Sequence, residues 1–113
     1  MHELGVVIEV VRNVRNVVKQ NELSEVESIT LQIGQLCSMI PKYVKECYPA
    51  AVDGTELEQT ELKIEVIPAN GLCHQCQQVF NVLEHRSRCP SCDSEKWGLL
   101  SGKEFMIKEI AAR

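Results

Sequence analysis

From Leu4 to Val18 the apolar residues recur with helical period. Val7, Val11, Val14 and Val18 mark one stripe, while Arg12, Asn13, Arg15, Asn16 and Lys19 fall mostly on the opposite side. The pattern predicts an amphipathic helix of about four turns, with Leu4 and Ile8 packing near Ile29 of the next element. Valine is stiff at χ1, so this helix is expected to rely on the surface it packs against. A polar connection follows at Asn21–Glu25, and the period then changes. In "ESITLQIG", Ile29, Leu31 and Ile33 alternate with Ser28, Thr30 and Gln32, which predicts a half-buried strand stopped by Gly34.

"SMIPKYVKECYPAAV" reads as a second helix. Pro41 suits a first helical position, and Tyr43, Val44, Cys47, Tyr48 and Ala51 form an apolar face. Pro49 lies inside it; an interior proline removes a hydrogen bond and crowds the preceding turn, so a kink or a break is expected there. "DGTELEQTE" is loop-like, and "ELKIEVIP" alternates through Leu62, Ile64 and Val66 as a second strand. "KEFMIKEI" supplies a third strand around Phe105 and Ile107. Between the second and third strands lies the cysteine segment, Cys73 to Cys92.

That segment holds "CHQC" at Cys73–Cys76 and "CPSC" at Cys89–Cys92, two Cys-x-x-Cys pairs with 12 residues between them. Each pair puts two thiolates on a tight turn, and two such turns facing each other complete a tetrahedral shell of four sulfurs. Zn²⁺ accepts that shell without redox chemistry, and a closed four-ligand site leaves no position for a substrate. Zinc in this reading staples a segment too small for its own core. Iron in a rubredoxin-like site would accept the same sulfurs. A thioredoxin-type redox pair fits less well, because it needs one such pair opening a helix.

The fold class predicted is therefore α+β: a small three-stranded sheet with two helices, plus an inserted zinc-ribbon-like domain. The division expected is 1–68 and 103–113 for the α/β domain and 69–102 for the zinc-binding domain. Cys37 and Cys47 have no partner spacing and default to core packing. His74 and His85 read as surface residues or spare ligands.

The chain has 113 residues, 44% hydrophobic, and a net charge of −4. The acidic balance and the 4% aromatic content argue against a nucleic-acid partner, which would need clustered cations or a stacking platform. No apolar run is long enough to span a bilayer, and the N-terminus lacks a signal peptide's basic n-region and small-residue cleavage site. A cytoplasmic location is expected, where 6 cysteines are more consistent with metal than with disulfides.

The chain start, Met1-His2-Glu3, offers a different chemistry. A free α-amine, the His2 amide nitrogen and the His2 imidazole can reach one metal in a plane. Amine and amide close a five-membered ring, and amide and Nδ1 close a six-membered one. Planar nitrogen coordination is a preference of Ni²⁺ or Cu²⁺ rather than Zn²⁺. The bland alternative is a solvated His2 beside a Glu3 that favours the helix N-terminus electrostatically.

Taken together, "MHE", the amphipathic helix, "LQIGQLCSM" at Leu31–Met39 and the two cysteine pairs ahead of a terminal strand resemble the HypA/HybF family of hydrogenase nickel-incorporation proteins. The resemblance spans essentially the whole chain. It implies a nickel metallochaperone and no enzyme, with Met1, His2 and Glu3 as the nickel site and Cys73, Cys76, Cys89 and Cys92 as a structural zinc site. It also implies a HypB-type GTPase partner, delivery of Ni(II) to the large subunit of [NiFe]-hydrogenase, and in some organisms a role in urease maturation. No nucleic acid and no membrane is expected as partner. The alternative reading is a zinc-ribbon interaction module for protein or nucleic acid without nickel function. One departure is visible. Some members carry histidines just after each Cys-x-x-Cys pair; here Gln77 and Gln78, then Asp93 and Ser94, stand there, so an all-cysteine site is expected. A monomer is compatible with this layout, and exchange of the two-legged zinc segment between protomers would give a domain-swapped homodimer.

Overall fold

The computed structural model describes residues 3–113. Helix α1 runs Glu3–Gln20, strand β1 Val26–Gly34, helix α2 Pro41–Val52 and strand β2 Glu61–Ile67. Three short strands follow, β3 Asn70–Cys73, β4 Val79–Asn81 and β5 Trp97–Leu99, and β6 Phe105–Ala112 ends the chain. They form two three-stranded sheets, ordered β2-β1-β6 and β4-β3-β5. The Cα extents are 54 × 28 × 16 Å, so the molecule is elongated, with the two sheets in separate lobes.

In the first lobe β1 is the central strand. It pairs in parallel with β2, with α2 as the crossover between them, and antiparallel with β6. Ile29, Leu31 and Ile33 are essentially inaccessible and meet Val7, Val10, Val11 and Val14 of α1 and Val44, Tyr48 and Val52 of α2. Burying a side chain of this size contributes roughly 1.5–3 kcal/mol, which is what holds a valine-rich helix in place. Helix α1 ends in a Schellman turn: Leu23 N–H bonds Val18 C=O at 3.0 Å and Glu22 N–H bonds Lys19 C=O at 3.4 Å, with Glu22 at φ 52°.

Several expectations change. Leu4 and Ile8 do not pack on Ile29; they are 46% and 42% exposed, because they lie on the flank of α1 rather than on the stripe centred on Val7 and Val14. Tyr43 is likewise exposed, at 44%. Pro49 neither kinks nor breaks the chain enough to end α2, which continues to Val52. Both Pro49 and Lys45, whose carbonyl loses its partner, face solvent, so water can replace the missing bond. Ser28 and Thr30 are buried although they alternate with the core residues: β1 is the central strand, and these short side chains are flanked on their face by Glu61 and Lys63 of β2 and by Ala111 and Glu109 of β6. Leu57, within the stretch read as a plain loop, is fully buried in the α/β core.

The second lobe is the cysteine segment. Here β3 is central and antiparallel to both β4 and β5. Its small core is Ala69, Phe80 and Val82 with Cys73 and Cys89, and Trp97 and Leu99 packed against them. Phe80 meets the Trp97 ring edge-on at 6.1 Å. Among the described residues no helix is long and apolar enough to cross a membrane.

Candidate metal centre

The two cysteine pairs are built by the same local device. In the first, Cys73 N–H donates to Gln78 C=O at 2.9 Å and Gln77 N–H donates to Cys73 C=O at 3.0 Å. In the second, Cys89 N–H donates to Ser94 C=O at 3.0 Å and Asp93 N–H donates to Cys89 C=O at 2.8 Å. Each turn closes on a residue in the left-handed region directly after its second cysteine, Gln77 at φ 65° and Asp93 at φ 62°. That conformation suits asparagine, aspartate or glycine and is strained for glutamine. The repeated turn brings both thiols of a pair to one side of the backbone.

The four sulfurs lie within 4.8 Å of one another. Two contacts cross between the turns, Cys73 to Cys92 and Cys76 to Cys89, both at 3.5 Å. All four cysteines are free, and these separations are far beyond a disulfide bond of about 2.05 Å. They are close to the sulfur–sulfur edge of about 3.8 Å that a tetrahedron with metal–sulfur bonds of about 2.3 Å requires. The residues therefore fit a tetrahedral thiolate metal. Cys73 and Cys89 are buried and Cys76 and Cys92 are exposed, so the cluster sits at the surface with half its ligands inward.

The electrostatics agree. The Cys76 N–H, aided by the Gln75 N–H at 3.4 Å, holds the Cys73 thiol down at about 6. At Cys92 the Ser94 N–H lowers the pKa, but Cys73, burial, Cys76 and Cys89 raise it more, to about 12. Cys76 is also raised: the Gln78 N–H lowers it, and Cys89 and burial outweigh that effect. Four thiolates this close cannot all ionise unaided, and a divalent cation is the charge that would allow it.

The two histidines of this lobe do not join the sulfur cluster. His74 lies over Gly98, whose added Cβ would sit 3.0 Å from Nε2. His85 meets the Phe80 ring edge-on at 6.3 Å. Cys37 and Cys47 are both partly buried against the α/β core.

At the chain start, Met1 and His2 lie outside the described residues. Glu3 opens α1 and is only 5% exposed. Its Oε2 accepts a hydrogen bond from the Ile40 N–H, which immediately precedes α2, at 3.4 Å. The sequence pattern puts Glu3 at a helix start but carries no sign of this contact, since nothing local links residue 3 to residue 40.

The family model described as hydrogenase/urease nickel incorporation, metallochaperone HypA matches residues 1–112. The chain is 36% identical over 110 residues to the hydrogenase maturation factor HypA of Prosthecochloris aestuarii, covering 97% of both proteins. It is 34% identical over 110 residues to that of Chlorobium limicola, covering 97% of this chain and 95% of the relative. Its fold is similar to the solution structure of the Ni metallochaperone HypA from Helicobacter pylori, with a TM-score of 0.66 at 20% identity over 99% of this chain and 97% of the other. A second solution structure of a HypA protein gives a TM-score of 0.70 at 21% identity, covering 100% and 97%.

Proposed function

Because this chain belongs to the HypA family of hydrogenase/urease nickel-incorporation metallochaperones, we propose that it carries Ni(II) at its N-terminus to a maturing [NiFe]-hydrogenase. The observation that carries the reading is the family match over residues 1–112, which includes Met1-His2-Glu3. The relatives are named for hydrogenase maturation, so hydrogenase is taken as the recipient ahead of urease. A HypB-type GTPase and the hydrogenase large subunit are the partners this role calls for. The role is carriage rather than catalysis.

In this reading the Met1 amine, the His2 amide and the His2 imidazole hold the nickel in a plane, and the Glu3 residue contributes beside them. A site with few protein ligands would leave the metal accessible to an incoming ligand of the recipient. A few ligands at a chain end release a metal faster than a buried cage would. Protons compete with the metal for an amine and an imidazole, so nickel affinity falls as pH drops. The buried Glu3 carboxylate, held by the Ile40 N–H, anchors the first turn of α1 to the start of α2 and so gives the site a fixed base.

The four cysteines take the structural role. Residues 69–102 form a zinc-binding domain, and 1–68 with 103–113 form the domain that bears nickel. Zinc, when bound, supplies the positive charge that four adjacent thiolates need and closes the shell.

The test is nickel titration by calorimetry of tag-free protein, of His2→Ala and of a form with one added N-terminal residue. The expected result is loss of the nickel site in both variants, with zinc content unchanged. Unchanged nickel stoichiometry and affinity in both would overturn the assignment.

A further inference from the structure

The two lobes meet where the end of β1 crosses the two connections to the cysteine lobe. A Cβ added to Gly34 would stand 2.0 Å from the Gly102 carbonyl oxygen, so only glycine allows the crossing. Gly102 itself, at φ 122°, lies against Ala69 of the other connection. Backbone bonds fix the roots of both legs: Gln35 N–H to Ile67 C=O at 2.9 Å and Leu36 N–H to Gly102 C=O at 2.7 Å. Ser101 Oγ–H ties the legs together through Pro68 C=O at 2.7 Å.

These bonds hold the legs, and the leg at Ala69 joins the ribbon through Val82 N–H to Ala69 C=O at 2.9 Å, but none of them runs from the α/β lobe into the ribbon sheet directly. One side chain does. The Gln35 Oε1 accepts from the Ala69 N–H at 2.8 Å and from the Asn81 Nδ2–H at 2.9 Å. Asn81 is the end of β4, inside the ribbon sheet. Among the described residues, Asn81–Gln35 is the one hydrogen bond that joins the ribbon beyond its connecting legs to the α/β lobe.

Both amides can be oriented from their chemistry. The Ala69 N–H requires an oxygen of Gln35, because an NH₂ cannot accept. The Asn81 Oδ1 accepts from the Leu83 and Glu84 N–H groups, each at 3.0 Å, which turns its NH₂ toward Gln35. The arrangement therefore uses Gln35 as a double acceptor.

We propose that Gln35 is the positioning residue that sets how the cysteine lobe is held on the α/β lobe, through one carboxamide oxygen shared between a connecting leg and the ribbon. Gln35 also begins the β1–α2 connection, whose far end is the Ile40 N–H on Glu3. The orientation of the cysteine lobe is thus fixed on the same short loop that supports the start of α1. The inference stands independently of the nickel reading, since it concerns lobe orientation alone.

Because only acceptor capacity is used, Gln35→Glu keeps both bonds, whereas the similarly shaped Gln35→Met loses both. Asn81→Asp keeps the bonds from Leu83 and Glu84 and loses the donor. The experiment is nitrogen-15 relaxation of the intact metal-loaded protein, reading the rotational correlation time of each lobe. Wild type and Gln35→Glu are expected to share one correlation time across both lobes. Gln35→Met and Asn81→Asp are expected to lose that common value, the ribbon amides tumbling faster than the sheet of the α/β lobe. Common tumbling retained in Gln35→Met, or in Asn81→Asp, would overturn the proposal, and so would a Gln35→Glu that behaves like Gln35→Met.

Discussion

The two lobes are held by different means. The α/β lobe buries Ile29, Leu31, Ile33, Val7, Val14, Val44 and Leu57 almost completely, drawn from both helices and from the sheet. The cysteine lobe buries Ala69, Phe80 and Val82, and the rest of its core is Cys73 and Cys89. A unit below roughly 40 residues cannot bury enough apolar surface to offset its chain entropy and needs a disulfide, a metal or a partner. The same chain thus contains one lobe with a large apolar core and one whose small core includes two of the four clustered cysteines. The large core carries α1 and α2, and the small lobe joins it through two legs, where Gln35 accepts from Ala69 and from Asn81.

The sharpest way to break this comparison is to remove one sulfur. Cys73→Ala is expected to lose the bound metal and to collapse the dispersion of amide signals from residues 69–102. Most of the far-ultraviolet helix signal should remain, because α1 and α2 belong to the other lobe. Loss of helix together with metal would mean the lobes are one cooperative unit.

The reverse experiment is Ile29→Ala at the centre of the larger core, where the side chain is inaccessible. A cost of about 2–5 kcal/mol in chemical denaturation is expected from lost burial and the cavity left behind. Metal content of the folded fraction should stay at the wild-type ratio. Release of metal in parallel with the destabilisation would erase the contrast.

A smaller effect is expected at Tyr48, whose hydroxyl donates to Thr60 C=O at 3.0 Å inside the α/β lobe. Tyr48→Phe should cost about 1 kcal/mol at neutral pH, the loss of one buried hydrogen bond. Burial pushes the Tyr48 phenol above its ordinary 10.0, so above that pH the unfolded chain releases a proton that the folded one keeps. The corresponding stability is complete below pH 10.0 and falls as pH rises through the folded value. Urea titrations at neutral and alkaline pH should show that part of the decline absent in Tyr48→Phe.

Much of the architecture was legible from periodicity. The alternation of Ile29, Leu31 and Ile33 and the stripe of Val7, Val11 and Val14 correspond to faces that are buried. The cysteine spacing predicted a four-sulfur cluster, and the four sulfurs are together. The three short ribbon strands were not legible, since β4 and β5 have only 3 residues each, too few for a period to show. Leu57 is fully buried yet stands among polar neighbours, and a single leucine carries no periodicity that would mark it.

By itself the sequence determined which residues can be apolar faces and where thiolates can share a metal. These follow from local spacing, since helix, strand and chelate geometry are all set within a few bonds. Only the tertiary structure decided that Glu3 is anchored by residue 40, that Leu4 and Ile8 stay outside the core, and that Gln35 spans to residue 81. Those contacts depend on which elements become neighbours, and neighbours distant in the chain are chosen by the packing of the whole fold rather than by any local pattern.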